Sequence, residues 1–261
     1  MSPTGGRFLA LSRFAAGSVL DGLLPRRCLS CDARVGVTEG ICATCWRETP
    51  FLERPWCQRL GTPFSYDVGA GAWGPQAIAA PPLFDRLRAV AFYDGPARQL
   101  VLSLKFSRRR ELARPMARWM VRSGQELFQS DSLIVPVPLH WTRRLTRRFN
   151  QAADLAREVA RQTGTGYEPL LLKRLKRTRQ QVGLTAGDRR RNVRTAFALD
   201  ARRLGAVPGR HFVLVDDVLT TGSTVTACVR CLLGAGAASV DVLTFALVDP
   251  NTQPARGRDL P

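Results

Sequence analysis

Residues 212–224 read FVLVDDVLTTGST, and this stretch decides which fold the chain can adopt. Residues 212–215 are all apolar, so both faces of the strand that they predict should be buried. Such a strand is typical of a parallel sheet that helices cover on both sides. An apolar run after the stretch predicts a helix to about Gly234, and residues 239–248 predict a further parallel strand. This order is a right-handed βαβ unit, which belongs to the α/β class.

Polar residues at the turn between this strand and this helix indicate a phosphate site. Gly222 permits a close approach of the backbone, and N–H groups at the start of the helix favour an anion there. Asp216 and Asp217 suit ribose hydroxyls or a Mg²⁺ ion, because both prefer hard oxygen ligands. The candidate phosphate-binding residues of the turn are Thr220, Thr221, Gly222, Ser223 and Thr224.

The same stretch resembles the phosphoribosyl pyrophosphate (PRPP) signature of the type I phosphoribosyltransferases. In that family the two acids hold the ribose 2′- and 3′-hydroxyls and the turn wraps the 5′-phosphate, which implies catalytic roles for Asp216 and Asp217. The stretch is not a Walker loop, because it lacks Gly-Lys-Thr and has no lysine nearby. The alternative is a buried strand, an acidic flank and a capped helix, each of which is common alone.

Two spaced pairs of cysteines predict a zinc ribbon near the start of the chain. Cys28 and Cys31 form the first Cys-x-x-Cys pair, and Cys42 and Cys45 form the second. Four thiolates at this spacing can surround one tetrahedral Zn²⁺ and leave no open position for a substrate, so a structural role is expected. A disulfide or free thiols are the alternative. Cys57 begins a similar motif that lacks its second cysteine, so we do not expect it to bind metal.

The chain is strongly basic, with a net charge of +18, and all but three of its 39 basic residues are arginine. The planar guanidinium group matches phosphate geometry, so a phosphate-rich partner is expected. Codon bias in a GC-rich genome is the alternative, but clustering of the charges favours an electrostatic function. The predicted nucleic-acid-binding residues are Arg108, Arg109, Arg143, Arg147, Arg148, Arg177, Arg179 and Arg189.

No apolar run approaches the roughly 18 residues that a membrane-spanning helix needs. Residues 7–24 carry an apolar stripe at helical spacing, but Arg13 and Asp21 interrupt it. A helix packed on the protein is therefore favoured over a signal peptide, and a membrane-surface helix is the alternative. Cysteines paired for metal rather than for disulfides indicate a reducing cytoplasm.

Three regions are expected along the chain. They are an N-terminal helix and zinc-ribbon region over 1–61, a linker rich in Gly, Ala and Pro over 62–86, and a phosphoribosyltransferase-like domain over 87–261. Within the last region, strands are predicted at 89–93, 133–138, 169–173 and 197–199, with helices at 97–106 and 111–128.

Taken together, these features resemble the ComF family of competence-associated proteins. The resemblance rests on the cysteine pairs and on the segments Val135–Gln151 and Thr178–Val193. It rests also on Val213–Thr224, which we call the acid-and-hydroxyl motif. It implies a type I phosphoribosyltransferase-like parallel sheet flanked by helices, with a small N-terminal four-cysteine zinc ribbon. It also implies handling of incoming single-stranded DNA during natural transformation, beside a helicase-like partner at the inner membrane. The sequence departs from the family pattern at Arg148, where relatives usually have glycine, and at Leu60.

Two functions fit these residues. A phosphoribosyltransferase would use Mg²⁺ and arginines to hold pyrophosphate in the loop after Pro138, which makes Leu139, His140 and Arg144 further phosphate-binding candidates. No segment indicates its acceptor. A nucleic-acid-binding protein would use the same arginine clusters, since PRPP and a DNA backbone both present phosphates. We place the DNA-handling role first and retain the PRPP-type pocket as its chemistry.

Overall fold

A computed structural model describes most of the chain between residues 26 and 249. The described ranges are 26–36, 40–106, 109–139, 149–175 and 196–249. The chain divides into two compact units, Met1–Glu48 and Thr49–Pro261. The domain bounds expected at residues 61 and 86 stay a prediction. Within the described ranges, no helix is both long enough and apolar enough to cross a membrane.

The first unit contains a small ribbon. Arg27 and Arg34 form an antiparallel bridge across a tight turn, which Asp32 completes with a φ of 60°. Helix α1 (Ala43–Glu48) follows the ribbon and buries Cys45. The turn and the helix bring the two cysteine pairs together.

The second unit is built on a parallel sheet. Its strands are β1 (Leu87–Phe92), β2 (Leu133–Pro136), β3 (Gly166–Tyr167), β4 (Leu172–Arg174), β5 (Phe197–Leu199), β6 (His211–Leu219) and β7 (Ser239–Leu247). Five of them form one sheet in the order β1-β7-β6-β2-β3, with every pair parallel. β4 and β5 form a separate antiparallel pair. β6 is therefore an interior strand, and its first five residues are buried as the apolar pattern predicts.

Helices cover both faces of the sheet. These helices are α3 (Gly95–Phe106), α4 (Ala113–Ser123), α5 (Gln151–Thr163) and α6 (Ser223–Gly234), and a short helix, α2 (Pro75–Ala79), precedes β1. α4 packs on one face, where Trp119 stacks on Phe245 of β7 with ring centroids 6.1 Å apart. α6 packs on the other face, in a core that contains Phe212, Leu214 and Val229. This arrangement confirms the predicted α/β class and the parallel sheet.

Two elements differ from their sequence-based predictions. The helix expected over 111–128 is interrupted at Gly124, where α4 passes so close to β7 that a Cβ would lie 2.8 Å from Leu243 Cδ1. Single 3₁₀ turns flank α4 on either side. The strand expected over 169–173 begins only at Leu172 and pairs outside the main sheet. Pro169 lacks the N–H group that a ladder position would use.

Candidate functional site

The acid-and-hydroxyl motif lies at the carboxyl end of β6, between β7 and β2. Ligands of open α/β sheets bind beyond the carboxyl ends of the strands, so this is the edge where a site is expected. The strand continues to Leu219 because β7 is equally long and pairs with it up to Leu247. Asp216 and Asp217 therefore lie within the last part of the strand, and not after its end as the sequence predicted.

The two acids point toward opposite faces of the sheet, since successive side chains of a strand alternate. Asp217 is buried on the α3 face, and its Oδ1 lies 3.2 Å from Nζ of Lys105. Asp216 shares a face with Phe212 and Leu214, which contribute to the α6 core. It is half-buried, and its Oδ1 accepts a hydrogen bond from the N–H group of Asp217. The two carboxylates thus occupy different environments.

The environment of Asp216 makes its ionisation unfavourable. Desolvation, together with the negative charge of Asp217, raises the pKa of Asp216 to about 8. The positive charges of Lys105 and Arg174 oppose this shift without cancelling it. At neutral pH the unliganded site therefore holds Asp216 mostly protonated, and a bound cation would favour loss of that proton.

The turn after β6 is open to solvent at Thr220 and Thr221. Gly222 has φ 70° and ψ 0°, a left-handed conformation that glycine adopts without strain. It precedes α6 and gives the helix no side-chain cap, so the N–H groups of the first turn remain available to an anion. Thr221 Oγ1 lies 3.1 Å from Ser223 Oγ, so two hydroxyl groups lie within hydrogen-bond distance of each other in this turn. The predicted phosphate turn is therefore assembled and accessible.

The other predicted phosphate-binding residues follow β2. Leu139 is half-buried and lies just beyond the carboxyl end of β2, which pairs with β6 as far as Pro136–Val215. It thus lies at the same edge of the sheet as the acids. His140 and Arg144 lie outside the described residues.

Of the predicted nucleic-acid-binding residues, Arg109 is described. Its Nε donates a hydrogen bond to Glu111 Oε1 at 3.1 Å, and its side chain is 29% exposed. The others lie outside the described residues: Arg108, Arg143, Arg147, Arg148, Arg177, Arg179 and Arg189. Their role stays a prediction.

The four predicted zinc ligands converge in the first unit. The Sγ atoms of Cys28, Cys31, Cys42 and Cys45 lie within 4.8 Å of one another, and those of Cys31 and Cys42 are 3.7 Å apart. Four sulfurs at about 2.3 Å from one zinc ion are separated by about 3.8 Å, so the cluster fits the metal. Burial works against the thiolate of Cys28, but N–H groups of Cys31 and Cys42 lower its pKa to about 6.

A second ribbon, residues 56–79, repeats the backbone of the first but has a cysteine at only one of the four ligand positions. In both ribbons a cysteine N–H bonds to the carbonyl group five residues ahead, as in Cys28–Ala33 and Cys57–Thr62. Both turns contain a positive φ, 60° at Asp32 and 63° at Gly61. Cys57 Sγ accepts the N–H of the residue before the next helix, as Cys28 Sγ does. The other ligand positions are held by Leu60, Gly74 and Ala77. The prediction that Cys57 lacks a metal-binding partner at Leu60 thus extends to the whole second ribbon.

Lys105 is the residue of this site that sequence reasoning did not assign. It lies on α3, far along the chain from the motif, and no local pattern connects the two. One signal was available: lysine is rare in this arginine-rich chain. Its ion pair with Asp217 places a positive charge beside the predicted sugar-phosphate site.

Comparison with known proteins agrees with both parts of the structure. A model of the double zinc ribbon domain matches residues 19–74, and a model of the phosphoribosyl transferase domain matches residues 150–259. The DNA utilization protein YhgH of Escherichia coli K12 is 37% identical over 210 residues, 78% of this chain and 88% of the relative. Competence protein F of Haemophilus influenzae is 29% identical over 226 residues, which are 84% of this chain and 96% of the relative. The chain belongs to the ComF family.

ComF membership agrees with the four-cysteine cluster and the phosphoribosyltransferase-type sheet. Competence protein ComFC of Bacillus subtilis shares 32% identity over 116 residues, 44% of each chain. Among solved structures, a glutamine PRPP amidotransferase from B. subtilis aligns with 50% of this chain and 25% of its own. That alignment has a TM-score of 0.35 and 21% identity, so it carries no functional argument for the ComF chain.

Proposed function

We propose that this ComF-family protein handles single-stranded DNA in the cytoplasm during natural transformation and holds a PRPP-type sugar phosphate. The names of its relatives, which refer to DNA utilization and competence, support the process. One structural observation supports the chemistry. The open turn at Gly222 presents an uncapped helix start, and the half-buried carboxyl group of Asp216 lies at the same end of β6. Phosphate and sugar hydroxyls are the ligands that this combination suits.

The proposed roles follow the geometry. The turn 220–224 would bind the 5′-phosphate, and Asp216 would hold the ribose hydroxyls. Asp217 lies on the opposite face of the sheet and would contribute through its ion pair with Lys105. Lys105, whose Nζ lies 3.2 Å from Asp217 Oδ1, would add a positive charge at this edge of the sheet. Mg²⁺, when bound with PRPP, would neutralise charge on the pyrophosphate. Leu139, His140 and Arg144 would form the pyrophosphate loop.

An active phosphoribosyltransferase is the second candidate, and the match of residues 150–259 to that domain favours it. The bond between the anomeric carbon and pyrophosphate would break, positive charge would develop on that carbon, and an acceptor would attack it. The residues at the carboxyl end of β6 would position the substrate and neutralise its charge. The acceptor is unidentified.

The DNA-binding part of the proposal depends on the arginine clusters. Each backbone phosphate that an arginine neutralises releases counterions, with a salt slope of about −0.7 per contact for single strands. The net charge of +18 supports this role. A helicase-like partner at the inner membrane belongs to the same proposal.

Calorimetry with PRPP and Mg²⁺, paired with anisotropy of a labelled single-stranded oligonucleotide at two salt concentrations, tests both parts. We expect the double variant Asp216→Asn/Asp217→Asn to lose PRPP binding and to keep oligonucleotide binding. Absence of binding heat with PRPP in the wild type would contradict the pocket. An oligonucleotide affinity that does not change with salt would contradict the arginine-based DNA role.

A further inference from the structure

A cavity of about 340 Å³ lies at the edge of the sheet opposite to the motif. His211 and Ser239, the first residues of β6 and β7, line it together with Arg86, which precedes β1. A parallel strand rises about 3.3 Å per residue, so His211 and Asp216 lie roughly 17 Å apart along β6. The cavity is therefore separate from the proposed sugar-phosphate site.

One wall of the cavity comes from the second ribbon. Gln58 and Arg59 follow its cysteine, and Trp73 lies just before its short helix. The Arg59 guanidinium lies 5.1 Å from the centroid of the Trp73 ring, and the indole is 44% exposed. The two side chains form a flat aromatic and cationic surface that is open to solvent.

A buried series of hydrogen bonds fixes the opposite wall. Ser132 Oγ lies 2.8 Å from Nδ1 of His211, and Nε2 of His211 lies 3.0 Å from Oδ2 of Asp241. Asp241 in turn accepts hydrogen bonds from Nε and Nη2 of Arg86. Ser132 is only 3% exposed and accepts the N–H group of Gln129, so this series is not a nucleophilic triad. Its effect is to hold the Arg86 guanidinium in one orientation.

Several polar groups around the cavity are unused. Within the described residues, Nη1 of Arg86 has no hydrogen-bond partner, because Asp241 takes only Nε and Nη2. The side-chain amides of Gln58 and Gln129 and the hydroxyl of Ser239 have none either in that part of the chain. Both carboxylates of the lining are engaged, Asp241 by Arg86 and Asp85 by Arg59 at 3.7 Å. Donors and acceptors thus surround a flat stacking surface.

We propose that this cavity binds a nucleobase, stacked on the Trp73–Arg59 surface and hydrogen-bonded at its edge by Gln58 and Gln129. Every base has a π-face that stacks on an aromatic side chain, and its edge carries both donors and acceptors that amide groups match. The volume lies at the lower end of the range for small-ligand sites. The base can belong to a free mononucleotide or to a single strand, and the two share this chemistry. The site does not depend on the PRPP proposal.

The test is calorimetry of the full-length protein with each of the four deoxynucleoside monophosphates and with a single-stranded oligonucleotide of mixed sequence. We expect Trp73→Ala to weaken binding of at least one probe by about fivefold or more, because a stacked base loses its partner. Trp73→Phe should retain most of the affinity. Tyr66→Ala is the matched control, since Tyr66 is a 73% exposed aromatic residue of the same ribbon that does not line the cavity. Gln58→Leu tests the cavity without altering the contact between Arg59 and Trp73.

The outcomes separate cleanly. Binding of a mononucleotide that Trp73→Ala and Gln58→Leu weaken, and that Tyr66→Ala leaves unchanged, supports the site with a free nucleotide as its source. The same pattern with the oligonucleotide alone supports the site with a strand as its source. Binding that only Asp216→Asn weakens, or no difference between Trp73→Ala and Tyr66→Ala, would overturn the proposal. Failure of every probe to bind would overturn it as well.

Discussion

Replacing Lys105 by alanine should lower the free energy of unfolding by about 2–3 kcal/mol. The Lys105 and Asp217 side chains are 21% and 10% exposed, and the charged atoms lie 3.2 Å apart. Exposed ion pairs contribute about 0–1 kcal/mol, whereas removing one partner of a buried pair costs about 3–5 kcal/mol. This pair lies between those limits. For a domain of about 150–250 residues the loss corresponds to a decrease in Tm of about 4–12 °C.

The control is a second lysine whose ion pair is shorter but whose side chain is more exposed. Lys173 Nζ lies 2.8 Å from Asp200 Oδ2, and the Lys173 side chain is 53% exposed. Solvent screens Lys173, so Lys173→Ala should destabilise the protein less than Lys105→Ala does. Urea unfolding of both variants and the wild type, under the same buffer and salt, gives the comparison.

A double variant tests whether the cost comes from an uncompensated charge. In Lys105→Ala the Asp217 carboxylate is left buried and alone, so adding Asp217→Asn should restore about 1–2 kcal/mol. The reasoning would be refuted if Lys173→Ala destabilised the protein as much as Lys105→Ala. It would also be refuted if the free-energy cost of the double variant equalled the sum of the costs of its two single substitutions.

Four further predictions concern the site and the ribbons. Binding of PRPP with Mg²⁺ should tighten by up to about tenfold per pH unit below the Asp216 pKa of about 8 and level off above it, measured by calorimetry with Asp216→Asn as the pH-independent control. Since folded Asp216 keeps a proton that the unfolded chain releases, the free energy of unfolding should fall as pH rises from about 4 to 8, and Asp216→Asn should reduce that slope in urea unfolding. Gly222→Ala should cost about 1–2 kcal/mol through its φ of 70°, whereas Gly205→Ala, which meets open space, should not destabilise the protein in the same experiment. Mass spectrometry of the native protein should find one zinc ion per chain, and Cys42→Ser should lower that content. Placing cysteine at Leu60, Gly74 and Ala77 together should add a second zinc ion per chain.

The parts of the molecule that the sequence predicted are those whose functional residues lie close together along the chain. Cys28 and Cys31 meet because only two residues of a tight turn separate them, and Cys42 and Cys45 meet because they lie about one turn apart at the start of α1. The β6–α6 turn was predictable because its chemistry lies within consecutive residues. In contrast, the point where β6 ends depends on the length of its neighbour β7, which no residue of the motif encodes.

The second ribbon shows the limit of motif reading. Its sequence has one cysteine, Cys57, so the pattern of metal ligands does not predict a second ribbon. Its backbone hydrogen bonds nevertheless repeat those of the first ribbon, because the turn depends on carbonyl and N–H groups that every non-proline residue carries. The backbone of the second ribbon therefore forms the same turn without a full set of cysteines.

By itself, the sequence determined the α/β class, the four-cysteine cluster and the order of acids and hydroxyls at the end of β6. The tertiary structure alone decided that Asp216 and Asp217 face opposite layers, that Lys105 reaches Asp217, and that a cavity opens at the other edge of the sheet. These features join residues that are far apart along the chain or that differ only in the face they occupy. Strand order and register bring such residues together or separate them, and both result from long-range packing of the whole sheet.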